Sequence, residues 1–285
     1  YIVIDNPTSS IIPLMNTFRD NQDYEADMFV NNHEAKEIMD DNTLLVVVDT
    51  NKPSITQCED LLYMAKMIVV LDHHRQGSDT IRNSVLSYIE PYASSASEMV
   101  AEILQYFTEG IRIRNVEADS IYAGIMIDTD NFMQKTGVRT FEAAAFLRRC
   151  GADVTRVRKL FREDMNDYKA RGETIRNAEL FRGQFAISEC PSDYVDSPTV
   201  VGAQAANELL NIVGVKASFV LTEYKGVIYI SARAIDEVNV QIIMERMGGG
   251  GHLNMAGCQL ETVNMEGARN LLKSTLTEMQ DGGEI

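Results

Sequence analysis

The sequence is poor in positive charge. Of its 285 residues, 26 are Lys or Arg and 42 are Asp or Glu, which gives a formal net charge of −16. Proteins that bind long nucleic acids displace counterions from the phosphates with clustered basic side chains. The deficit therefore argues against a long nucleic acid as partner. A phosphate ligand would have to be held by metal ions, backbone N–H groups or a few arginines.

Other missing features bear on location. No run of eighteen apolar residues is present, so no membrane segment is predicted. The first residues, YIVIDNPTSS, lack the basic region and cleavage site of a signal peptide. Four cysteines are scattered without a CxxC pair, which is typical of reduced thiols. We therefore expect a cytoplasmic location for this part of the protein.

The apolar pattern predicts an α/β fold in two domains. LLVVVD (44–49) and MIVVLD (67–72) are apolar up to a final aspartate, as in strands buried on both faces of a parallel sheet. We predict a mostly parallel sheet flanked by helices over residues 1–155, then a charged helical connector over 156–180. A smaller α/β domain with a mixed sheet is predicted over 181–285, including a hairpin that turns at Lys225-Gly226.

Acids and histidines follow the two apolar strands. Asp49 ends the first strand, and Asp72-His73-His74 ends the second. Ligands bind at the carboxyl ends of strands in open α/β sheets, although Asp49 could equally cap its loop. Adjacent histidines on a strand point to opposite faces. One could therefore ligate a metal while the other meets a phosphate oxygen, with Asp72 fixing the tautomer. The alternative is a pair of ordinary surface histidines.

Asp128 is a candidate third metal ligand. It follows the buried helical pattern AGIMID, and the helix dipole disfavours a carboxylate at the C-terminal end of a helix. A nearby cation would compensate, although an ordinary helix-terminal acid is the alternative. Asp130, in an Asp-Thr-Asp sequence that resembles a metal-binding DxD motif, is a lesser candidate.

Four consecutive glycines, Gly248 to Gly251, precede His252. Such a run is entropically unfavourable unless the backbone must approach a ligand and offer its N–H groups to an anion. A flexible linker is the alternative. Arg233, in the preceding strand pattern, could add a bidentate contact to a phosphate.

Together these pieces resemble the DHH family of phosphoesterases, in the subgroup with a DHH-associated C-terminal domain and a GGGH motif. The matching segments are VVVDTN (46–51), LDHH (71–74), GIMIDT (124–129), SAR (231–233) and GGGGH (248–252). Further segments resemble bacterial cyclic-di-AMP phosphodiesterases, namely DTNKPS (49–54), EPYASSASEMV (90–100), TGVRTFEAA (136–144) and SARAIDEVNVQIIMERMGGGGH (231–252).

The resemblance implies hydrolysis of cyclic-di-AMP to the linear dinucleotide pApA by two manganese ions in a cleft between the domains. Asp49 would bridge both ions, His73 would ligate one and Asp128 would complete the set, with Asp49 and His74 acting in catalysis. The resemblance also suggests residues that contact the substrate: His74, Ser94, Ser95, Arg139, Ser231, Arg233, Gly248, Gly249, Gly250, Gly251 and His252. A homodimer and an upstream membrane anchor are further expectations.

One motif of the family is not found. The family opens with His-x-x-x-Asp-x-Asp, which supplies three further ligands, whereas His33 is followed by EAKEIMDD. YIVID resembles the strand that comes after that motif. Either the chain begins late or it is a degenerate relative, and we expect the former because the other motifs are intact. We accordingly expect these 285 residues alone to bind metal weakly and to be inactive.

Other functions remain open. A nanoRNase-type hydrolase would cleave short oligonucleotides or pApA with the same residues, and an inactive nucleotide sensor would keep the glycine loop without the metals. GGGGH argues against an inorganic pyrophosphatase. The net charge of −16 argues against a RecJ-like exonuclease.

Overall fold

The computed structural model describes residues 1–8, 11–107, 110, 112–162, 164–235 and 237–285. The chain divides into two compact units, Tyr1–Arg162 and Glu163–Ile285. Each unit combines helices and strands around its own hydrophobic clusters, which confirms the predicted fold class. Among the described residues, no helix combines the length and apolar character needed to cross a membrane.

Two parallel sheets and several helices make up the first unit. In chain order the elements are β1 (Ile2–Val3), α1 (Ile12–Arg19), β2 (Phe29–Val30), α2 (Asn32–Ile38), β3 (Leu44–Val48), a 3-10 turn (Pro53–Ile55), α3 (Asp60–Met64), β4 (Met67–Asp72), β5 (Leu86–Ile89), α4 (Ala96–Tyr106), α5 (Asn115–Asp128), α6 (Val138–Arg149) and α7 (Val154–Leu160). One sheet is β1–β2, and the other has the order β3–β4–β5. All of these strand pairs are parallel, as predicted.

The two apolar strands of this unit differ in burial. β4 lies between β3 and β5, and Ile68, Val70 and Leu71 are buried. On β3, Leu44, Val46 and Val48 are 52%, 47% and 45% exposed, so the predicted burial of both faces is wrong there. β3 lies at the edge of its sheet and borders an open groove of about 860 Å³. The apolar run thus predicted the strand correctly, but it did not predict that one face would remain exposed.

The predicted connector, residues 156–180, includes parts of two helices that pack in different units. α7 packs against α5 in the first unit, where Val157 is fully buried. The next helix, α8 (Met165–Arg176), places Ala170 in a hydrophobic cluster of the second unit. In both helices, the apolar side chains that pack are surrounded in the sequence by charged residues. The apolar pattern is therefore weak. Residue 163, which falls within the predicted connector, lies outside the described residues.

The second unit is built on a mixed sheet. After α8, its elements are β6 (Glu179–Phe181), β7 (Phe185–Cys190), α9 (Pro198–Leu209), β8 (Ala217–Tyr224), β9 (Val227–Ala234), α10 (Val240–Arg246), β10 (Gly250–His252), β11 (Met255–Leu260) and α11 (Met265–Asp281). The strand order is β10–β11–β9–β8–β7–β6. The predicted hairpin is confirmed, because β8 and β9 are antiparallel and Lys225 and Gly226 have φ of 52° and 79°.

Sequence patterns did not predict α9, for a reason visible in its packing. Ala205 and Ala206 are fully buried, and a Cβ on Gly202 would lie 2.4 Å from Thr222 Oγ1 of β8. The helix approaches the sheet through small residues. Such residues give little apolar periodicity, which is the main sequence signal for a helix.

The glycine run has mostly local structural causes. Gly248 has φ of +84° and ends α10, and the Gly249 N–H donates to Met244 O at 2.8 Å, as in a glycine C-cap. A Cβ on Gly249 would lie 2.1 Å from Gly257 O, and one on Gly251 would lie 2.5 Å from Ala256 Cα. Among the described residues, no heavy atom lies within 4 Å of that position at Gly250. Gly248 and Gly249 therefore end α10, whereas Gly250 and Gly251 belong to the sheet, which argues against a flexible linker.

The contrast between two of these glycines gives a stability prediction. Gly249→Ala should destabilise the second unit by about 1–3 kcal/mol, because the methyl group overlaps the backbone of β11. Gly250→Ala is the matched control and should unfold close to the wild-type temperature. Differential scanning calorimetry of both variants checks this, and equal unfolding temperatures would contradict the described packing of β10.

Candidate metal centre

The ends of β3 and β4 lie side by side. Val48 is paired with Leu71, and the Asp49 N–H donates to Leu71 O at 2.9 Å. Asp49 has φ of +66°, in the left-handed region that Asp and Asn occupy more readily than most other residues. Pairing in parallel thus brings Asp49 to the residues that follow β4, as predicted for a strand-end site.

His73 lies between two carboxylates. Its Nε2 is 3.3 Å from Asp49 Oδ1 and 3.7 Å from Asp128 Oδ2, and its side chain is 11% exposed. Its Nδ1 lies 3.3 Å from the Ala93 carbonyl oxygen, which can only accept a hydrogen bond. A neutral ring therefore carries its proton on Nδ1 and presents the Nε2 lone pair to the carboxylates. This is the tautomer that a metal ligand requires.

The cluster concentrates negative charge. The hydrogen bond with Asp49 raises the pKa of His73, and Asp128 adds to this effect while burial opposes it. Burial, and then the charge of Asp49, raises the pKa of Asp128. Both shifts have the direction expected where carboxylates lie close together in a partly buried place, and a divalent cation would offset their charge.

Asp128 reaches the cluster from α5, of which it is the last residue. The predicted ligand at this helix end thus lies near His73. Asp130 is exposed, with φ of +46°. The ligand atoms that lie within 4.8 Å of one another among the described residues belong to Asp49, His73 and His74, and this group includes neither Asp128 nor Asp130.

His74 lies beside His73 rather than on an opposite face. The two ring centroids are 4.4 Å apart, and ligand atoms of Asp49, His73 and His74 all lie within 4.8 Å of one another. The expectation of opposite faces is wrong, because β4 ends at Asp72 and strand alternation does not continue beyond it. His74 Nδ1 lies 2.8 Å from Oδ1 of the fully buried Asp72, the partner that the sequence suggested.

The donor set fits a divalent metal ion. Two carboxylates and an imidazole nitrogen in its unprotonated form are ligands that such ions commonly accept in proteins. Asp49, His73 and Asp128 supply this set. Sequence reasoning gave no role to Asn51, which is buried next to Asp72 and His74. The signal that could have found it is a polar residue just beyond a strand-ending aspartate.

In the second unit, four predicted substrate contacts share one face of the sheet. Ser231 and Gly250 both pair with Gly257 of β11, whereas Arg233 and His252 both pair with Met255. Paired residues on neighbouring strands, and residues two apart on one strand, point to the same side of a sheet. The alternate residues, including Ala232, face the hydrophobic core.

Arg233 forms no ion pair with a carboxylate among the described residues. Nη1 donates to Ala232 O at 2.9 Å, and its buried Nε has no hydrogen-bond partner among the described residues. Burial lowers the pKa of Arg233. A partly buried cation with an unused donor suits a bound anion.

The remaining predicted contacts already have partners within the first unit. The Ser95 hydroxyl caps α4 by accepting from the Glu98 N–H at 3.0 Å, and the Ser94 hydroxyl donates to the Glu98 carboxylate at 2.5 Å. Arg139 donates twice to Glu102, at 2.7 and 2.6 Å, and also lies near Glu90. These contacts favour a structural role for the two serines and for Arg139.

Two family models and several known proteins match this sequence. The model of the DHH family, N-terminal domain, matches residues 4–125, and the model of the DHHA1 domain matches residues 185–278. The cyclic-di-AMP phosphodiesterase GdpP of Bacillus subtilis is 43% identical over 259 residues, which is 90% of this chain and 39% of that protein. The cyclic-di-AMP phosphodiesterase PdeA of Listeria monocytogenes is 41% identical over 243 residues, or 85% of this chain and 37% of that protein. The chain thus spans less than half the length of these relatives.

A solved structure shares the fold. An exopolyphosphatase-related protein from Bacteroides fragilis matches with a TM-score of 0.80 and 20% identity, covering 98% of this chain and 83% of that one. At that identity the likeness shows the fold alone.

The metal centre predicts a loss of cation binding in Asp49→Asn. Asn tolerates the left-handed backbone of this position, so the variant removes charge without straining the turn. Manganese affinity, measured by electron paramagnetic resonance, should fall by about tenfold or more.

The matched control is Asp41→Asn, because Asp41 pairs with Lys66 on the surface at 2.6 Å. Its manganese affinity should equal that of the wild type. An unchanged affinity in Asp49→Asn would rule out the assignment of this carboxylate as a ligand.

Proposed function

The chain belongs to the DHH family, and we propose that it is the catalytic part of a metal-dependent phosphodiesterase that hydrolyses cyclic-di-AMP to pApA. The observation that carries the proposal is the meeting of Asp49, His73 and Asp128 at the carboxyl ends of β3 and β4. Relatives named for this activity are more than 40% identical over most of the chain, which supports the choice of substrate.

The proposed cofactor is a pair of manganese ions. Asp49, His73 and Asp128 would hold them within this chain. When bound, such ions lower the pKa of water and offset charge on a reacting phosphate. Ala93 would keep the His73 ring in its ligand tautomer through the contact with Nδ1.

His74 has a different proposed role. Asp72 engages its Nδ1, so Nε2 is the ring nitrogen available to the substrate. When the ring is protonated, Nε2–H can donate to a phosphate oxygen or to the departing 3′-oxygen. In the second unit, Ser231, Arg233 and His252 are proposed to contact the phosphate and ribose, together with the backbone of the glycine run.

A substrate assay tests the proposal. Cyclic-di-AMP, cyclic-di-GMP and pApA are offered with manganese to this chain, and to the chain joined to the segment that precedes the matched region in the Bacillus subtilis relative. Calorimetry measures binding, and chromatography identifies products. We expect both proteins to bind cyclic-di-AMP best, and the joined protein to convert it to pApA while the chain alone stays inactive.

Two results would contradict this reading. Faster cleavage of pApA than of cyclic-di-AMP would favour a nanoRNase-type hydrolase. Binding of cyclic-di-AMP that does not depend on manganese, with no product from either protein, would favour a nucleotide sensor.

Gly250 provides a narrower prediction. It is the glycine of the run that has neither a positive φ nor a packing neighbour among the described residues, so close approach of a ligand is the proposed cause. Gly250→Ala should weaken cyclic-di-AMP binding in calorimetry by about tenfold, or about 1.4 kcal/mol, while the unfolding temperature stays at the wild-type value. Unchanged binding would remove this glycine from the proposed contacts.

A further inference from the structure

Asn51 occupies a buried position between the two strand ends. It follows β3 by three residues, and its side chain and backbone together are only 2% exposed. Its backbone carbonyl oxygen accepts a hydrogen bond from the Ile81 N–H at 2.9 Å. This contact ties its backbone to the segment that returns toward β5.

The side-chain amide of Asn51 faces two acceptors. Nδ2 donates to Asp72 Oδ2 at 2.5 Å and lies 3.3 Å from His74 O. Rotating the amide by half a turn would place Oδ1 against a carboxylate oxygen and a carbonyl oxygen. Because neither atom can donate, the chemistry of the neighbours fixes which end of the amide faces them.

The two oxygens of the Asp72 carboxylate contact different residues. Oδ2 accepts from Asn51, whereas Oδ1 accepts from the His74 N–H at 3.1 Å and lies 2.8 Å from His74 Nδ1. Asp72 is fully buried, so solvent does not replace a lost donor. Without the amide, Oδ2 would lack this partner and the carboxylate could turn about its Cβ–Cγ bond, which would release the ring of His74.

We propose that Asn51 is a positioning residue: it holds the carboxylate of Asp72 so that Asp72 keeps His74 in the Nδ1–H tautomer. The consequence for turnover rests on the proposed function, in which the contact of Nδ1–H with Asp72 directs Nε2 to the phosphate and Nε2 donates once the ring is protonated. The chain of contacts from Asn51 through Asp72 to His74 is independent of any substrate.

Nuclear magnetic resonance of the full chain, labelled with ¹⁵N in histidine, tests the proposal. At pH 8, above the usual imidazole pKa of about 6.5, long-range proton–nitrogen correlations report the tautomer of each ring. The wild type should show His74 protonated on Nδ1. Asn51→Ala should shift it to a mixture of both tautomers.

The chain offers a matched control in Asn83, whose amide donates to Leu62 O at 3.0 Å, away from Asp72. Asn83→Ala should leave the His74 signals unchanged. Asp72→Ala should disturb the tautomer at least as much as Asn51→Ala does. Adding Asn51→Ala to Asp72→Ala should then change nothing further, because the proposed effect passes through Asp72.

Persistence of a single Nδ1–H tautomer in Asn51→Ala would overturn the proposal. So would a further change when both substitutions are combined. If Asn51→Ala fails to fold, hydrogen exchange of the side-chain amides in the wild-type protein still tests the hydrogen bond on which the proposal depends. Exchange of the Asn51 amide should be slower than that of Asn83, and equal rates would refute the buried hydrogen bond.

Turnover by the joined protein adds a separate measurement. Asn51→Ala should lower kcat by about 10–100-fold with little change in KM, as is usual when a partner of a catalytic residue is lost. Failure of the wild type to hydrolyse cyclic-di-AMP would overturn the proposed function, while the tautomer of His74 would still report on Asn51. An unchanged kcat in Asn51→Ala would overturn the expected consequence for turnover.

Discussion

The parallel pairing of β3 with β4 is the constraint on which the candidate centre depends. A shift of this register by one residue would move Asp49 away from His73 and would also exchange the buried and exposed faces of β3. The ladder continues through Asp49 N–H to Leu71 O, and the left-handed turn at Asp49 then ends it. Backbone hydrogen bonds thus hold Asp49 beside His73, although its carboxylate and that of Asp128 repel each other in the absence of a cation.

Asn51, Asp72 and His74 extend the same principle into the loops. Once β4 ends at Asp72, no ladder fixes the direction of the following side chains, and the two imidazole rings come to lie side by side. Beyond this point, hydrogen bonds of the side chains, rather than strand pairing, fix the orientation of the two rings. Ala93 orients His73, whereas Asp72 and Asn51 orient His74. Two adjacent histidines can therefore have distinct roles despite their proximity.

Residue patterns predicted the parts of the molecule that depend on local rules. The parallel strands, the Lys225-Gly226 hairpin and the grouping of Asp49, His73 and Asp128 follow from apolar runs, turn chemistry and strand-end placement. The exposed face of β3 depends on what lies beside it, which the run LLVVVD does not encode. α9 packs through small residues, and the burial of Asn51 arises only when two loops meet. Tertiary contacts of this kind leave no periodic signal in a single sequence.

In a strongly acidic protein an anionic substrate has to be held by metal ions, backbone N–H groups or a few arginines, and the structure separates the two candidate arginines. Arg139 is held by Glu102 in a bidentate pair with Glu90 close by, so binding a phosphate would require competition with carboxylates. Arg233 has no such competitor among the described residues and retains a buried, unused Nε donor. Desolvation of a cation without a counter-ion is unfavourable, and a bound phosphate would relieve it. The shared resemblance of both segments to phosphodiesterases therefore does not make the two arginines equivalent, and Arg233 is the better candidate for direct contact with the substrate.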